Sequence, residues 1–414
     1  MKFLNILKNK KVIAWSFYDF ANQPFSTIIV TFIYSAFYVK EISYSEDIGT
    51  YFWSLGITIT SIFVAFLSPF LGAISDKKGN RHSLFIFFSL VCSIFTMTLY
   101  FPNHGDIYLA LFLFVIANIA FEFASVFCNS YLTDLSNNGN IGKVSGYAWG
   151  LGFIGGLLAL LLCFIFFDLD VNKEIKKTNI LVGIWYIIFS MPAFLILRNT
   201  NNERLNSNKN NFSAFLSIKK TIRNISSYKS IYQFLIARLF YNDGLVTIFT
   251  LGGIYAVGTL EFTFNEVLTL GIVLNICACV GSFFFGYFED ILGVKKILNI
   301  SLVFLILATI IAFFSPSTSN PKQWFWCSCI LIGLMSGPNQ SCSRSLMGRL
   351  IPDQKKNEFF GFYALTGKAT AFLGPLLFGI ITRFYNQQLA ILIILLFFIL
   401  GTYLFNKIKF DDNL

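Results

Sequence analysis

Charged residues are scarce in this sequence. Asp, Glu, Lys and Arg make up only 13% of its 414 residues, whereas about a quarter is usual in soluble proteins. Apolar residues reach 56% and aromatic residues 18%. A soluble globular domain keeps a charged surface in water, so this composition argues against one and favours a protein that faces lipid.

The residues of metal sites and enzyme centres are few as well. The two histidines, His82 and His104, lie in predicted loops, which disfavours a zinc site or histidine-based catalysis. None of the eight cysteines stands at metal-binding spacing from a histidine, so we interpret them as small apolar core residues. The G-x-x-x-x-G-K-[ST] motif of nucleotide sites is missing too, which disfavours an ATP-driven pump. We expect no metal, no organic cofactor and no enzyme activity.

Long apolar runs dominate what is present. They measure roughly 18 to 25 residues, enough for a helix to cross about 30 Å of hydrocarbon. Helices also satisfy the backbone polar groups that lipid cannot. The first run is longer than the apolar region of a signal peptide and has no cleavage site, so we expect it to stay in the protein. We predict twelve spans, at residues 12–39, 50–74, 83–101, 107–133, 144–167, 180–197, 231–257, 266–288, 297–315, 323–350, 358–383 and 389–406.

Positive charge follows a pattern along this framework. The chain has 31 Lys and Arg residues and a net charge of +10, and most of these residues fall on the side that carries the N-terminus. This positive-inside bias predicts that both termini are cytoplasmic, and a bacterial inner membrane is the expected location. The basic charge is then a topology signal, so membrane lipids are expected neighbours and nucleic acid is not.

One polar segment, 198–230, divides the spans six and six. We therefore expect an N-terminal six-helix bundle at 1–197 and a C-terminal one at 231–414. Apolar residues recur at helical spacing beside basic residues in the second part of the segment, which favours an amphipathic helix on the cytoplasmic membrane surface. A flexible solvated linker is the alternative, because the segment begins with a run rich in asparagine.

Two loops carry the same motif. G-x-x-x-D-x-x-G occurs at 72–79 and again 214 residues later at 286–293, each time followed by basic residues. Further matches keep the same order and pair 18–22 with 241–244, 144–148 with 360–364, and Asn129 with Asn339. Parallel repeats in a twelve-helix membrane protein are typical of the major facilitator fold, so the expected fold is all-α with two pseudo-symmetric six-helix bundles.

The repeated loops suggest a gate. Asp76 and Asp290 each stand at the cytoplasmic end of a span, where a carboxylate can accept hydrogen bonds from the free N–H groups of a neighbouring helix. The glycines permit a tight turn, and the basic residues can pair with carboxylates or lipid phosphates. The alternative is a pair of short polar turns with no further role. The residues assigned to gating are Asp19, Asp76, Gly79, Arg81, Arg238, Asp290, Gly293 and Lys295.

A few charged residues lie inside predicted spans, where burial of charge is costly and indicates a functional site. Glu122, Asp243 and Lys368 fall near the middle of their spans. A small zwitterion suits such a cavity, because its carboxylate would meet Lys368 or an arginine and its ammonium would meet Glu122 or Asp243. Glu122 is also the candidate for proton coupling, because burial favours a neutral carboxyl group. The alternative is that these residues pair with one another and only hold the helices in register.

Three stretches resemble one family. The Y-D-F-A-N sequence at 18–22 is similar to the opening of the vacuole-effluxer-like branch of the major facilitator superfamily, and Y-N-D-G at 241–244 resembles its seventh helix. Gln23 and Pro24 depart from the pattern, which has a small hydroxyl residue there. The longest match runs through G-P-N-Q-S-C-S-R-S-L at 337–346, I-P at 351–352, E-F-F-G at 358–361, G-K at 367–368 and L-G-P at 373–375.

This resemblance covers both halves of the chain. It implies a major facilitator carrier, and the eukaryotic relatives are tied to export of amino acids from the vacuole. It also places Arg344 and Lys368 on the family motif. Together with the buried charges, it makes the candidates for substrate or proton binding Asn22, Glu122, Asp243, Asn339, Gln340, Arg344 and Lys368.

We therefore expect a secondary transporter that moves a small polar or zwitterionic metabolite, amino acids first, by alternating access. Proton coupling is a hypothesis, and a monomer is expected. Two alternatives stay open: an exporter of amphipathic or lipid-like compounds, and a membrane sensor of the same fold that transports nothing.

Overall fold

The computed structural model describes residues 9–168, 171–198, 228–371 and 373–410, together with residues 218, 219, 221 and 223, and this part is helical without a strand. Proline, glycine and polar clusters separate its long apolar helices. We number the longer helices α1 (Lys10–Pro24), α2 (Glu46–Lys78), α3 (Arg81–Thr98), α4 (Ile107–Ser130), α5 (Ile141–Phe166), α6 (Asn172–Ile196), α7 (Lys229–Leu260), α8 (Phe264–Leu292), α9 (Val294–Phe314), α10 (Pro321–Leu350), α11 (Lys356–Lys368), α12 (Leu373–Phe384) and α13 (Gln387–Asn406).

Every predicted span contains a helix. Within the described residues, eleven helical stretches are long and apolar enough to cross a membrane. The predicted span that does not qualify is the tenth, α10, which carries a polar stretch from Ser336 to Ser345. Most of that stretch is buried, so protein and not lipid surrounds it, and its polar groups are tolerated there.

Most helices begin slightly earlier than the predicted spans, and two of these starts are informative. α6 begins at Asn172 and not near residue 180. Its first two turns are charged, so a search for apolar segments does not detect them. α3 begins at Arg81, so His82 lies in a helix, and its expected place in a loop was wrong. Its Nδ1 lies 2.9 Å from the Tyr131 hydroxyl and its Nε2 lies 2.9 Å from the Phe194 carbonyl oxygen.

The first predicted span is not a uniform α-helix. α1 ends at Pro24, and π-helical turns follow at Phe25–Phe32 and Tyr38–Ile42. Proline cannot donate to the carbonyl four residues earlier, here that of Phe20, and its ring pushes that carbonyl away. The indole N–H of Trp185 on α6 donates to this carbonyl at 3.2 Å. The polar group released by the proline is therefore satisfied inside the protein.

The eleventh predicted span is interrupted. Instead of one helix over 358–383, the structure has the 13-residue α11 and the 12-residue α12, separated by residues 369–372. Proline is tolerated in the first turn of a helix and breaks a helix at deeper positions. Pro375 cannot donate to the Ala371 carbonyl, so an unbroken helix through this position is disfavoured. A new helix begins at Leu373 instead, which places Pro375 in its first turn. The interruption falls near the middle of the span.

Residues of the chain group into two compact units. Unit 1 comprises Met1–Leu135, Leu151–Ile218 and Asp353–Ala364, and unit 2 comprises Ser136–Gly150, Lys219–Pro352 and Leu365–Leu414. The start of α11 therefore belongs to unit 1, and the start of α5 belongs to unit 2. The predicted linker at 198–230 and its amphipathic helix lie almost entirely outside the described residues, so the bundle boundaries stay predictions.

Each unit is built on close helix pairs around buried aromatic rings. In unit 1, α3 packs on α4 and α6, and α1 packs on α6. The hydroxyl of Tyr18 lies 2.8 Å from Ser89 Oγ and 2.7 Å from the Tyr186 hydroxyl. In unit 2, α8 and α9 pack on α10, and α7 packs on α13. The repeat partner of Tyr18, Tyr241, places its hydroxyl 2.7 Å from Ser343 Oγ.

Candidate functional site

A carboxylate near the end of α2 caps the start of α11 within unit 1. Asp76 Oδ1 accepts hydrogen bonds from the backbone N–H of Asn357 at 3.1 Å and from its side-chain amide at 2.7 Å. Asp76 Oδ2 accepts from the backbone N–H of Glu358 at 2.8 Å. These N–H groups have no partner inside their helix, and a negative charge is favourable at this end of the helix dipole. We call these contacts the Asp76 cap.

Small residues let the two helices of the Asp76 cap touch. A Cβ atom built on Gly72 would lie 2.1 Å from the carbonyl oxygen of Asn357. A Cβ on Gly361 would lie 2.4 Å from the carbonyl oxygen of Ser68, and the Ser68 hydroxyl donates to the Gly361 carbonyl at 2.9 Å. The glycine of the loop motif is therefore required by backbone contact, one turn before the aspartate.

An ion-pair network continues from the start of α11. Lys356 is 3% exposed, and its Nζ lies 2.7 Å from Asp134 Oδ1 and 2.8 Å from Asp353 Oδ1. The other oxygen of Asp134 accepts from Arg81 Nη2 at 2.6 Å, and the Arg81 guanidinium lies 3.7 Å from the centre of the Tyr131 ring. Arg81, a gating candidate, thus reaches the start of α11 through Asp134.

Unit 2 holds a matching arrangement at the start of α5. Asp290, near the end of α8, accepts from the backbone N–H of Gly142 at 2.9 Å and from that of Lys143 at 3.0 Å. A Cβ on Gly286 would lie 2.8 Å from the Cα of Gly146, so glycine faces glycine where α8 meets α5. We call these contacts the Asp290 cap. Gly142 and Lys143 precede Asn357 and Glu358 by 215 positions, so the caps repeat with the sequence.

Charged side chains surround the Asp290 cap. Arg349 Nη2, at the end of α10, lies 2.9 Å from Asp290 Oδ1 and 3.4 Å from Glu289 Oε1. Both carboxylate side chains are fully buried, and that of Arg349 is 5% exposed. Lys143 Nζ lies 3.8 Å from Asp290 Oδ2, and the Ser345 hydroxyl donates to Glu289. Two adjacent buried carboxylates therefore share one arginine.

Two residues expected to bind substrate have other described contacts. Arg344 is 2% exposed, and its Nε and Nη2 donate to the hydroxyl and carbonyl of Ser145 at 3.0 and 2.8 Å. It also lies over the Trp149 ring. Asn339 is fully buried and donates to Ser301 Oγ on α9 at 3.1 Å. These contacts place Arg344 beside the start of α5 and Asn339 in the packing of α10 on α9.

A polar cluster lies at the interruption of the eleventh span in unit 2. Arg238 Nη1 on α7 donates to Thr366 Oγ1 at 2.9 Å. Asn242 Nδ2, one turn later, lies 3.5 Å from the Gly367 carbonyl oxygen, and Gln340 Nε2 on α10 donates to Asn242 Oδ1 at 3.2 Å. Lys368 is the last residue of α11, where a cation is favourable at the negative end of the helix dipole. Arg238, Gln340 and Lys368 are thus brought to one helix end.

Asp243 lies near the start of α12, on the C-terminal side of the interruption. It is 2% exposed on α7, and its carbonyl oxygen accepts from Thr247 Oγ1 at 2.7 Å. A Cβ on Gly374, in the first turn of α12, would lie 1.8 Å from Thr247 Oγ1. The start of α12 is therefore pressed against α7 at the turn that carries Asp243.

The remaining candidates of unit 1 lie apart from the Asp76 cap along the chain. Asn22 is buried on α1, and Asp19 is half-buried there. A Cβ on Gly152 of α5 would lie 3.4 Å from the Asp19 carbonyl oxygen. Glu122 is half-buried on α4. Unit 1 therefore carries acidic groups within its spans, whereas unit 2 carries the cations Arg238 and Lys368 together with the acidic Asp243.

The motif glycines adopt the expected turns, and the basic residues behind them differ in their contacts. Gly79 and Gly293 have φ values of 64° and 90°, which residues with a Cβ atom rarely adopt. Lys295 Nζ donates to the Ile408 carbonyl at 3.1 Å and lies over the Phe410 ring. Arg81 thus reaches a carboxylate, whereas Lys295 holds the chain that follows α13.

Comparisons with known proteins agree with this architecture. The model of the family described as "Vacuole effluxer Atg22 like" matches residues 49–412. The chain belongs to this family. It is 26% identical over 403 residues to the uncharacterized MFS-type transporter YxiO of Bacillus subtilis, covering 94% of this chain and 92% of that protein. It is 25% identical to autophagy-related protein 22 of Pichia angusta, covering 87% of this chain and 74% of that protein.

Solved structures show the same fold at low sequence identity. A bacterial homologue of the iron transporter ferroportin in its outward-facing state has a TM-score of 0.75 at 13% identity, over 96% of this chain and 98% of that one. The human organic anion transporter MFSD10 has a TM-score of 0.75 at 13% identity, over 96% and 99%. The proton:xylose symporter XylE has a TM-score of 0.73 at 14% identity, over 97% and 95%.

The Atg22-like chain is therefore a multi-pass membrane transporter with the major facilitator fold, and not an enzyme. Sequence reasoning found the two aspartates, but it missed several residues that surround them: Ser145, Glu289, Arg349, Lys356 and Asn357. The repeat itself was the available signal, because the matched stretches 144–148 and 360–364 lie in the first turns of the capped helices. The charged neighbours carry no such signal, since Arg349 and Lys356 stand outside the repeated motif.

Proposed function

We propose that this Atg22-like transporter moves a small zwitterionic or polar metabolite, with amino acids as the first candidates, by alternating access. The interruption between α11 and α12 carries the proposal. Irregular backbone at membrane depth is tolerated only where it is buried in protein or lines a water-filled cavity. Broken helices of this kind form substrate sites in many transporters, because they offer backbone groups and helix ends to the cargo.

The charges near this interruption support a cargo with two charged ends. Lys368 at the end of α11 would bind a carboxylate, and Asp243 beside the start of α12 would bind an ammonium group. In unit 1, Glu122 is the proposed proton-coupling residue. Asn22 is a polar group that would bind the neutral part of the cargo.

The two caps support a gating role for the repeated loops. Each cap joins a carboxylate from one half of the sequence to the first N–H groups of a helix from the other half. Because these hydrogen bonds form at helix ends, they can break without unfolding a helix. We propose that both caps are made when the cytoplasmic gate is closed and are lost when it opens.

The membrane context completes the proposal. The positive-inside bias supports cytoplasmic termini, and a bacterial inner membrane is the proposed location. We propose a monomer, with lipid around its exposed apolar side chains. Reporter fusions to each terminus of the full chain would test the orientation, and a periplasmic signal from either fusion would contradict it.

Transport by the purified chain in proteoliposomes tests the function directly. Labelled amino acids would be supplied one at a time, with and without an imposed pH gradient. The proposal expects uptake of at least one amino acid, and stimulation by the gradient would support proton coupling. If no amino acid moves in either direction, the zwitterion proposal is wrong, and an amphipathic cargo or a sensor becomes the better interpretation.

A substitution tests the proton-coupling residue. Glu122→Gln should abolish stimulation by the pH gradient and leave exchange of the cargo between the two sides intact. Glu266→Gln is the matched control, because Glu266 is a partly exposed glutamate at the start of α8. Full gradient-driven transport by Glu122→Gln would remove that residue from coupling.

A further inference from the structure

The last turn of α11 receives side chains from two neighbouring helices. Arg238 donates to Thr366 Oγ1 at 2.9 Å, and a Cβ on Gly367 would lie 3.4 Å from its nearer terminal nitrogen. Asn242 lies 3.5 Å from the Gly367 carbonyl oxygen and accepts from Gln340 at 3.2 Å. The two residues that directly precede Lys368 are thus contacted from α7, and one of those contacts is supported from α10.

This helix end needs support because of where it lies. The last carbonyl groups of a helix have no intrahelical partner, and hydrocarbon cannot supply one. Turn hydrogen bonds satisfy part of the backbone here, from Ala369 N–H to the Leu365 carbonyl and from Leu373 N–H to the Thr370 carbonyl, each at 2.7 Å. The Asn242 side chain of α7 supplies a further donor to the Gly367 carbonyl oxygen, whereas Arg238 donates to the Thr366 side chain.

The burial of Arg238 is informative. It is 5% exposed, and a buried guanidinium destabilises a protein unless charges or hydrogen bonds compensate it. The negative end of the α11 dipole and the Thr366 hydroxyl provide compensation at this position. A residue this buried, and committed to the helix end, is better placed to hold α11 than to enter and leave a cytoplasmic gate.

We propose that Arg238, Asn242 and Gln340 are positioning residues for Lys368. By fixing Thr366 and Gly367, they fix the backbone from which the Lys368 side chain extends. The proposal rests on the proposed function, in which Lys368 binds the carboxylate of the cargo. It replaces the gating role expected for Arg238 and the direct substrate contact expected for Gln340.

The same arrangement defines the chemical class of group that binds there. Arg238 and Lys368 bring two positive charges to one helix end, and the described residues of α11 that follow Glu358 include no carboxylate. An anionic group of the cargo is therefore favoured at the end of α11, and Asp243 beside the start of α12 is the acidic group for an ammonium. The cargo class is a small carboxylate-bearing metabolite, so an amine that lacks a carboxylate should not be transported.

Amide hydrogen exchange of the full chain in nanodiscs tests the positioning role without any cargo. Arg238→Ala should speed exchange of the amides in 366–374 by about tenfold or more, because a hydrogen bond to a charged group is lost. Arg238→Lys should restore part of the protection, since an ammonium can still donate to Thr366. Thr366→Val keeps the side-chain shape and removes the acceptor, so it should act in the same direction with little risk of misfolding. Arg383→Ala, at an exposed arginine of α12, is the matched control and should change nothing.

Transport kinetics then test the link to Lys368. For the amino acid that proteoliposomes take up, Arg238→Ala and Lys368→Met should each raise KM about tenfold or more with a smaller effect on kcat. The double variant should be no worse than Lys368→Met alone, because the arginine acts through the lysine. Additive effects on KM, or unchanged hydrogen exchange in both Arg238→Ala and Thr366→Val, would overturn the positioning role. If the unmodified chain transports no amino acid, the proposed function fails, and hydrogen exchange still decides whether Arg238 holds the helix end.

Discussion

The Asp76 cap and the Asp290 cap share a geometry and differ in charge. Each aspartate accepts hydrogen bonds from two successive backbone N–H groups at a helix start. Asp290 also pairs with Arg349 and Lys143. Within the described residues no ion pair involves Asp76, and the nearby cation Lys356 pairs with Asp134 instead.

This difference indicates that repeated sequence preserves a contact while its surroundings change its strength. Charge-assisted hydrogen bonds are about twice as strong as neutral ones. Both caps contain such bonds to backbone N–H groups, and Asp290 has a further one from Arg349. The Asp290 cap should therefore be the harder of the two to break. The Asp76 cap depends more on the close backbone approach at Gly72. If both caps close one gate, the Asp76 cap should open first.

Arg349→Ala should have the largest effect. It leaves Glu289 and Asp290 buried side by side without their main counter-charge, and loss of one partner of a buried ion pair costs about 3–5 kcal/mol. Thermal unfolding of the purified chain in detergent would measure this loss. Arg349→Lys should recover part of it, because an ammonium can pair with Asp290 but cannot contact both carboxylates in the same way.

The counterpart for the Asp76 cap is Lys356→Ala. Its partner Asp134 keeps Arg81, so the loss should be smaller than for Arg349→Ala. Equal destabilisation by the two substitutions would contradict the view that charge distinguishes the caps.

Substitution of the motif glycines by alanine should cause the second-largest loss of stability. Gly72→Ala places a methyl group 2.1 Å from a backbone carbonyl oxygen, and Gly286→Ala places one 2.8 Å from the Cα of Gly146. Overpacking of this kind costs about 1–3 kcal/mol, with Gly72→Ala at the upper end because backbone must move. Gly379→Ala is the control, since a Cβ there would meet nothing within 4 Å. Unfolding in detergent would rank the three, and a larger loss for Gly286→Ala would reverse the proposed difference.

Asparagine at each aspartate removes the negative charge and one of the two oxygens that accept backbone N–H groups. Asp290→Asn should cost about 2 kcal/mol, because Arg349 loses one of its two carboxylates. Asp76→Asn should cost about 1 kcal/mol, as for a helix cap weakened without a counter-charge. The accessibility of a single introduced cysteine near each cap would report opening. Greater opening in Asp76→Asn than in Asp290→Asn would go against the expected order.

Composition and hydropathy predicted most of this fold, because lipid restricts a spanning segment to an apolar helix. The two interruptions could not be read in the same way. Pro24 and Pro375 are visible in the sequence, but whether a proline bends, breaks or merely starts a helix depends on which neighbour satisfies the released carbonyl. Trp185 does so for Phe20, and it stands 165 residues away in the sequence.

The candidate site was predictable where it repeats and hidden where it does not. Asp76 and Asp290 stood out because the same motif occurs twice. The capped residues Asn357 and Gly142 stand 281 and 148 positions away from the aspartates, and a single sequence carries no distance information over such separations. Arg349 was missed and Arg344 was preferred, because only Arg344 stands on the family motif. The structure shows that both contact residues of the first turns of α5 or their cap.

The start of α8 provides a third helix cap to compare with the Asp76 cap and the Asp290 cap, and its loss should have the smallest effect. α8 is capped locally, by a capping box in which Thr263 and Glu266 each accept a backbone N–H of the other. Hydrogen bonds from Lys322 and from the Thr263 backbone hold the pKa of Glu266 below its ordinary value. Because this pKa is lowered, the stabilisation is complete above the pKa of glutamate in the unfolded chain, about 4.3. It is lost as pH falls through the pKa of Glu266 in the folded chain.

Glu266→Gln should therefore lower thermal stability slightly near pH 7, where the stabilisation by the ionised carboxylate is complete. Below about pH 4, near the ordinary pKa of glutamate, the unmodified chain should lose this small advantage, so the two melting curves should converge. Transport should be unaffected at either pH, because a local cap joins residues three positions apart and can form whether or not a gate is open. If Glu266→Gln impaired transport as strongly as Asp76→Asn, the special role of the two long-range caps would have to be abandoned.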